Sequence, residues 1–151
     1  MKKDYSMKRL WILGLVVIIV LGIIFIPKLI FNEGDNTVKF NVLEEKQIPQ
    51  KIKEILPQYR VEERALACRI EDSVYVIVTR GEKRTGGYSV AIDRIEKEKS
   101  DDYFNLIVYA KYTDPSPDQI VPQVITYPYT IVKTDLKELP QNIRLEVEYD
   151  E

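Results

Sequence analysis

The chain has 151 residues, with 22 Lys and Arg against 24 Asp and Glu, no His and one Cys. The missing His excludes a Ser-His-Asp triad, a Cys-His pair, a His-based zinc site and a histidine pH switch, and the lone Cys excludes an internal disulfide or a CxxC site. A net charge of −2 offers no general attraction to nucleic acid, and a composition 45% hydrophobic and 30% charged is globular.

Leu10 to Ile26 is a run of 17 residues without a charge. As a helix it rises about 26 Å. Beyond Pro27 and Lys28, Leu29–Phe31 extend the run toward the ~30 Å of a bilayer core once Lys28 snorkels. It carries no amphipathic stripe, so lipid is its natural solvent. Residues 10–31 are therefore expected to be a single transmembrane anchor held in the lipid bilayer. Lys2, Lys3, Lys8 and Arg9 precede it and Glu33 and Asp35 follow. The positive-inside rule makes residues 1–9 a cytoplasmic basic tail and sends the rest outside the cell membrane. The run ends in Ile-Pro-Lys, without the small residues of a signal-peptide cleavage site, and no Cys follows it for lipid attachment, so the anchor is expected to stay uncleaved.

Residues 32–36 read as a polar linker and 37–151 as one extracytoplasmic domain. Beyond residue 31 the chain carries 17 basic and 23 acidic residues, so charge draws it neither to anionic lipid nor to nucleic acid.

Period-2 alternation dominates the domain. Val38, Phe40 and Val42 form a first strand. A helix follows, with Ile48, Ile52, Ile55 and Leu56 on one stripe, Pro49 in its first turn and Pro57 at its end. Leu66, Cys68 and Ile70 mark the next strand. Ser73–Thr79 is apolar on both faces and reads as a central strand covered twice, the helix lying over Tyr75 and Ile77. Further strands are expected at Tyr88–Ile92, Phe104–Ala110, Tyr129–Thr134 and Leu145–Tyr149. The fold class is α+β: a mostly antiparallel sheet with one short covering helix, preceded by the transmembrane helix.

Few residues suggest chemistry. Cys68 shares a strand face with Leu66 and Ile70 and reads as a small core hydrophobe. Arg80–Gly87 has three glycines and three cations, a pattern that cradles anions. No helix follows it, so it reads as a strand connection in which Gly86 and Gly87 supply unusual angles or close approach. Adjacent carboxylates such as Glu62-Glu63 and Asp101-Asp102 point to opposite faces or lie in turns, unlike a glycosidase pair, and no EF-hand spacing occurs. No catalytic residue, metal or cofactor is implied. The stretch from Asp114 to Tyr129 holds four prolines, Pro115, Pro117, Pro122 and Pro128, among apolar and aromatic residues. Such a rigid loop either packs on its own sheet or offers a preorganised surface to a partner.

Thr85-Gly-Gly-Tyr-Ser-Val-Ala-Ile, Leu106-Ile-Val-Tyr, Pro115-Ser-Pro-Asp and Val121-Pro-Gln-Val-Ile-Thr-Tyr-Pro-Tyr-Thr-Ile-Val-Lys133 together resemble the C-terminal domain of the protease complex subunit PrcB family. The resemblance covers roughly residues 73–135. It implies an exported or surface-attached bacterial domain, of a family named for a subunit that accompanies and stabilises a secreted subtilisin-like protease. It implies no catalytic residues.

The expected function is therefore a membrane-anchored, extracytoplasmic, non-catalytic binding module. It assists or stabilises an exported protease or another surface protein. The expected partner surface is Gly86, Gly87, Tyr88, Pro115, Pro117, Tyr127, Pro128 and Tyr129, with Tyr supplying a rigid apolar body and a polar tip. The alternative is a small-ligand or glycan-binding surface domain with Tyr stacking platforms.

Overall fold

The computed structural model describes residues 11, 12, 14–16 and 36–150. Two compact units divide the chain, Met1–Asp35 and Asn36–Glu151. In the first, residues 11–12 and 14–16 are helical. Most of the expected transmembrane segment, residues 10–31, lies outside the described residues. Among the described residues no helix is long and apolar enough to cross a membrane.

In the second unit, strand β1 (Phe40–Val42) leads through a 3-10 turn (Glu45–Gln47) into helix α1 (Gln50–Tyr59). Six strands follow: β2 (Glu63–Ile70), β3 (Ser73–Arg80), β4 (Ser89–Lys99), β5 (Phe104–Thr113), β6 (Tyr129–Thr134) and β7 (Asn142–Asp150). They form two sheets, ordered β1-β6-β3-β2 and β4-β5-β7. β5 and β7 pair in parallel, and the other pairings within the sheets are antiparallel. This is the α+β class expected from the sequence, with a mostly antiparallel arrangement and one short helix. The single sheet of that expectation is replaced by two.

β3 explains the layering. Val74, Val76 and Val78 join Ile95, Leu106 and Val108 in one buried cluster between the sheets. Tyr75 and Ile77 join Ile48, Ile52 and Leu56 in a second cluster beneath the helix. A strand apolar on both faces needs cover on both, and successive side chains of a strand point to opposite sides. The helix therefore lies over Tyr75 and Ile77, and the β4-β5-β7 sheet lies over the valines.

The helix differs in detail from its expected form. Pro49 sits just before it, and the Pro49 carbonyl accepts the N–H groups of Ile52 at 3.0 Å and Lys53 at 3.2 Å. Pro57 lies inside the helix, which runs on to Tyr59. The missing Pro57 N–H removes one bond in the last turn. Arg60 N still closes that turn on Leu56 O at 2.9 Å. Ile55 turns outward, whereas Ile48, Ile52 and Leu56 are buried.

The chain enters this unit along β4. Lys97 N donates to Asn36 O at 2.6 Å and Val38 N to Ile95 O at 2.8 Å. β1 then pairs with β6, Phe40 opposite Thr134. Residues 36–42 thus stitch one sheet to the other.

Leu66, Cys68 and Ile70 pack at the edge of the helix-side cluster. Cys68 is half-buried, and that burial raises its thiol pKa above the ordinary value. The thiol is therefore less ionised than a free one, which fits a small hydrophobe.

Candidate functional site

The inner faces of four strands converge at one end of the unit. β3 runs Val74, Val76, Val78 and then Arg80 on the same face. β5 runs Leu106, Val108, Ala110 and then Tyr112. β7 runs Leu145, Val147 and then Tyr149, and β4 is entered through Tyr88 and Val90. The period of two therefore carries a cation and three phenols to the place where the aliphatic core ends.

Arg80 is 3% exposed and is the centre of this cluster. Its guanidinium donates to Ser89 O at 3.1 Å and Thr113 O at 2.8 Å and pairs with Asp114. It lies 4.6 Å from the ring centroid of Tyr112, 5.1 Å from that of Tyr88 and 5.9 Å from that of Tyr149. A buried guanidinium needs this combination of carboxylate, carbonyls and ring faces. Arg80 thereby ties the end of β5, the start of β4 and the root of the proline-rich loop to β3.

Tyr112 is fully buried, edge-to-face with Tyr149 at 5.8 Å between centroids. Its hydroxyl has no hydrogen-bond partner among the described residues. Burial, chiefly, pushes this phenol's pKa up, and the Glu63 charge adds to the rise. A folded value above the unfolded one makes the stabilisation complete below about pH 10. It is lost as pH rises from there toward the folded value, at about 1.4 kcal/mol per pH unit. Tyr112→Phe deletes the orphaned hydroxyl. It is expected to leave stability at pH 7 unchanged or raise it by up to about 1 kcal/mol, and to flatten the alkaline loss. Urea unfolding at pH 7 and 10.5 checks both, and a loss above 1 kcal/mol at pH 7 would contradict the assignment.

Above this cluster two connections are zipped together, residues 81–88 and 114–128. Lys83 and Thr126 exchange backbone hydrogen bonds, both at 2.9 Å. Gly86 N donates to Pro122 O at 2.9 Å, and Thr126 Oγ1 donates to Thr85 O at 2.7 Å. Tyr127 Oη donates to Glu82 at 2.9 Å, which raises the Tyr127 pKa, and Arg60 lies over the Tyr127 ring at 4.5 Å. Gly87 adopts φ +90°, and a Cβ there would fall 2.8 Å from both Pro115 Cβ and Val121 Cγ1. At Gly86 a Cβ would fall 3.0 Å from Pro122 Cδ. The two glycines are where one backbone lies against the other loop's prolines.

The residues expected to form a partner surface separate into groups. Gly86, Gly87 and Pro115 form the contact between the two loops, with Gly86 buried. Tyr88 is half-buried, with Arg80 and Lys83 over its ring. Pro117 is exposed in a turn closed by Gln119 N to Ser116 O at 2.9 Å. Tyr127 is held by Glu82 and Arg60, and Pro128 O accepts Arg80 N at 2.9 Å. Tyr129 begins β6 and packs on the helix-side cluster, away from this group. Much of the group is thus scaffold. The outward aliphatic side chains are Ile120, Val124 and Ile125, at 98%, 57% and 59% exposure, among exposed polar neighbours that include Arg84, Asp118 and Gln123. Arg80 was legible as the next residue in phase after Val74, Val76 and Val78.

The family comparison falls on this assembly. Residues 74–135 match the family model described as PrcB C-terminal. No curated protein and no solved structure matches the chain. The matched segment runs from β3 through β6 and encloses both zipped loops, Arg80 and Asp114. It agrees with the resemblance drawn from T-G-G-Y, P-S-P-D and Q-V-I-T-Y-P-Y. In the structure these motifs are mutual contacts: Thr85 with Thr126, Gly86 with Pro122, Gly87 with Pro115.

Among the described residues no group of three or more Asp, Glu or Cys is placed to hold a metal ion. A cleft of about 110 Å³ on the outer face of the second sheet is lined by Asp93, Arg94, Tyr109, Lys111, Glu146 and Glu148. It is smaller than the ~300 Å³ at which ordinary ligand pockets begin, and charged groups dominate its wall.

Proposed function

We propose that the chain is a membrane-anchored, extracytoplasmic, non-catalytic module that binds and stabilises an exported protease or another surface protein. The observation that carries this reading is the zipped loop pair. It lies wholly inside the matched segment and presents aliphatic side chains to water on a backbone fixed in advance. The resemblance to a family named for a protease's companion subunit supports the choice of partner. The uncharged run from Leu10 to Ile26 and its basic flank support the anchor. So do the helical residues Trp11, Ile12, Leu15 and Val16, all exposed.

Depletion of the chain in its own cells, read by quantitative mass spectrometry of exported proteins, tests the reading. At least one exported protease or surface protein is expected to fall threefold or more. Protease added to intact cells is expected to digest residues 37–151. An unchanged exported proteome together with a resistant domain would overturn it.

A further inference from the structure

We propose that Ile120, Val124 and Ile125 form an apolar knuckle that seats in a hydrophobic pocket of a partner protein whose rim carries carboxylates. This rests on the accessory reading above and adds the contact surface and the partner's chemistry.

Three features argue for it. The first is preorganisation. The loop is pinned on both sides of the knuckle, by the Ser116–Gln119 turn and by the Gly86–Pro122 and Lys83–Thr126 bonds. Little freedom remains to be lost when a partner closes on Ile120.

The second is charge. Residues 36–151 carry 17 basic and 21 acidic side chains, so the unit is acidic. The rim of the knuckle runs against that trend. Arg84 is exposed and makes no salt bridge among the described residues, and Lys83 and Arg60 lie over Tyr88 and Tyr127. Of the nearby acids, Asp114 is paired with Arg80, Glu82 accepts the Tyr127 hydroxyl and keeps its charge, and Asp118, two residues before Ile120, is exposed; Arg60, Lys83 and Arg84 outnumber Glu82 and Asp118. An apolar tip with a cationic border is complementary to a pocket bordered by Asp and Glu.

The third concerns place and residue type. The loops stand beside Ser89, where β4 begins, whereas Asn36 is bonded to Lys97. Eight residues of strand separate those points, about 26 Å. The knuckle is thus at the end of the unit remote from where the chain enters it. Its exposed side chains are β-branched aliphatics. A membrane interface favours Trp and Tyr, and the tyrosines here are engaged within the fold.

The test uses the full chain in its native membranes, with Ile120→benzoylphenylalanine as a photocrosslinker. Leu139→benzoylphenylalanine, at another exposed apolar position, is the control. The expected result is one discrete protein adduct from position 120, at least tenfold weaker from 139. The crosslinked peptide should map beside Asp or Glu residues. For the purified full chain and the protein so identified, Ile120→Asp should raise Kd at least thirtyfold. Arg84→Glu should raise it about tenfold and reduce its salt dependence. Adducts to lipid, adducts to a second copy of the chain, or equal yields at both positions would overturn the knuckle. Protein adducts from 139 alone would overturn the knuckle and leave the accessory reading standing. No protein adduct from either position would overturn both.

Discussion

Arg80→Met is expected to destabilise the Asn36–Glu151 unit by about 3 kcal/mol. Met keeps much of the apolar stem but no donors. Ser89 O and Thr113 O then lose their partner, and Asp114 loses its counterion. Orphaning a part-buried acceptor costs about 1–3 kcal/mol, and the attraction of three ring faces for the cation goes as well. Replacing every member of a buried polar cluster by apolar groups is often harmless, but removing one member is not. Asp114→Asn makes the contrast. Asp114 is 57% exposed at its side chain, so water takes over its carboxylate and the expected loss is under about 1 kcal/mol. Urea unfolding of both variants at pH 7 decides the matter. An Arg80→Met loss below 1 kcal/mol, or equal losses for the two, would show that Arg80 does not hold the four strands together.

Gly87→Ala carries a comparable expected loss, about 3 kcal/mol, for a different reason. The backbone sits at φ +90°, which an L side chain adopts only under strain of about 1–3 kcal/mol. The added methyl would also lie 2.8 Å from Pro115 Cβ and from Val121 Cγ1. Proline rings yield little, so the clash is relieved by moving one loop off the other, and overpacking of this kind costs about 1–3 kcal/mol. The expected signature is local. Amide exchange should accelerate at Gly86, Lys83 and Thr126, whose N–H groups bridge the loops. Val108, in the core, should change only as far as global stability falls. Gly86→Ala meets Pro122 Cδ at 3.0 Å without a positive φ, so its cost should be smaller, about 1 kcal/mol. Native exchange at Lys83 and Thr126 after Gly87→Ala would show that the loops are not interlocked through this residue.

The two central residues differ in how they were concealed. Gly87 was visible as a glycine in a loop, and its reason for being glycine is set by Pro115 and Val121, about thirty residues on. Arg80 belongs to a cation-rich stretch that suggested an anion cradle. Its true partners are Asp114, Tyr112 and Tyr149, 34, 32 and 69 positions away. The phase of Arg80 after Val74, Val76 and Val78 places it on the inner face, but its partners have no local signature, because they are brought to it by the elements that close over it. Ile120 shows the converse: apolar in sequence, yet almost fully outside.

Local pattern by itself determined a good deal. Alternation marked the strands, and the double-sided apolar run Val74–Val78 required a helix on one face and cover on the other. The spacing of Ile48, Ile52 and Leu56 chose the helix and the face it buries. Period and face are properties of neighbouring residues, so a one-dimensional pattern states them. Pairing is not such a property. That residues 36–42 bridge two sheets, that β7 lies parallel to β5, and that Tyr129 turns toward the helix depend on which distant segments meet. Many pairings satisfy the same alternation, and only packing of the whole unit selects among them.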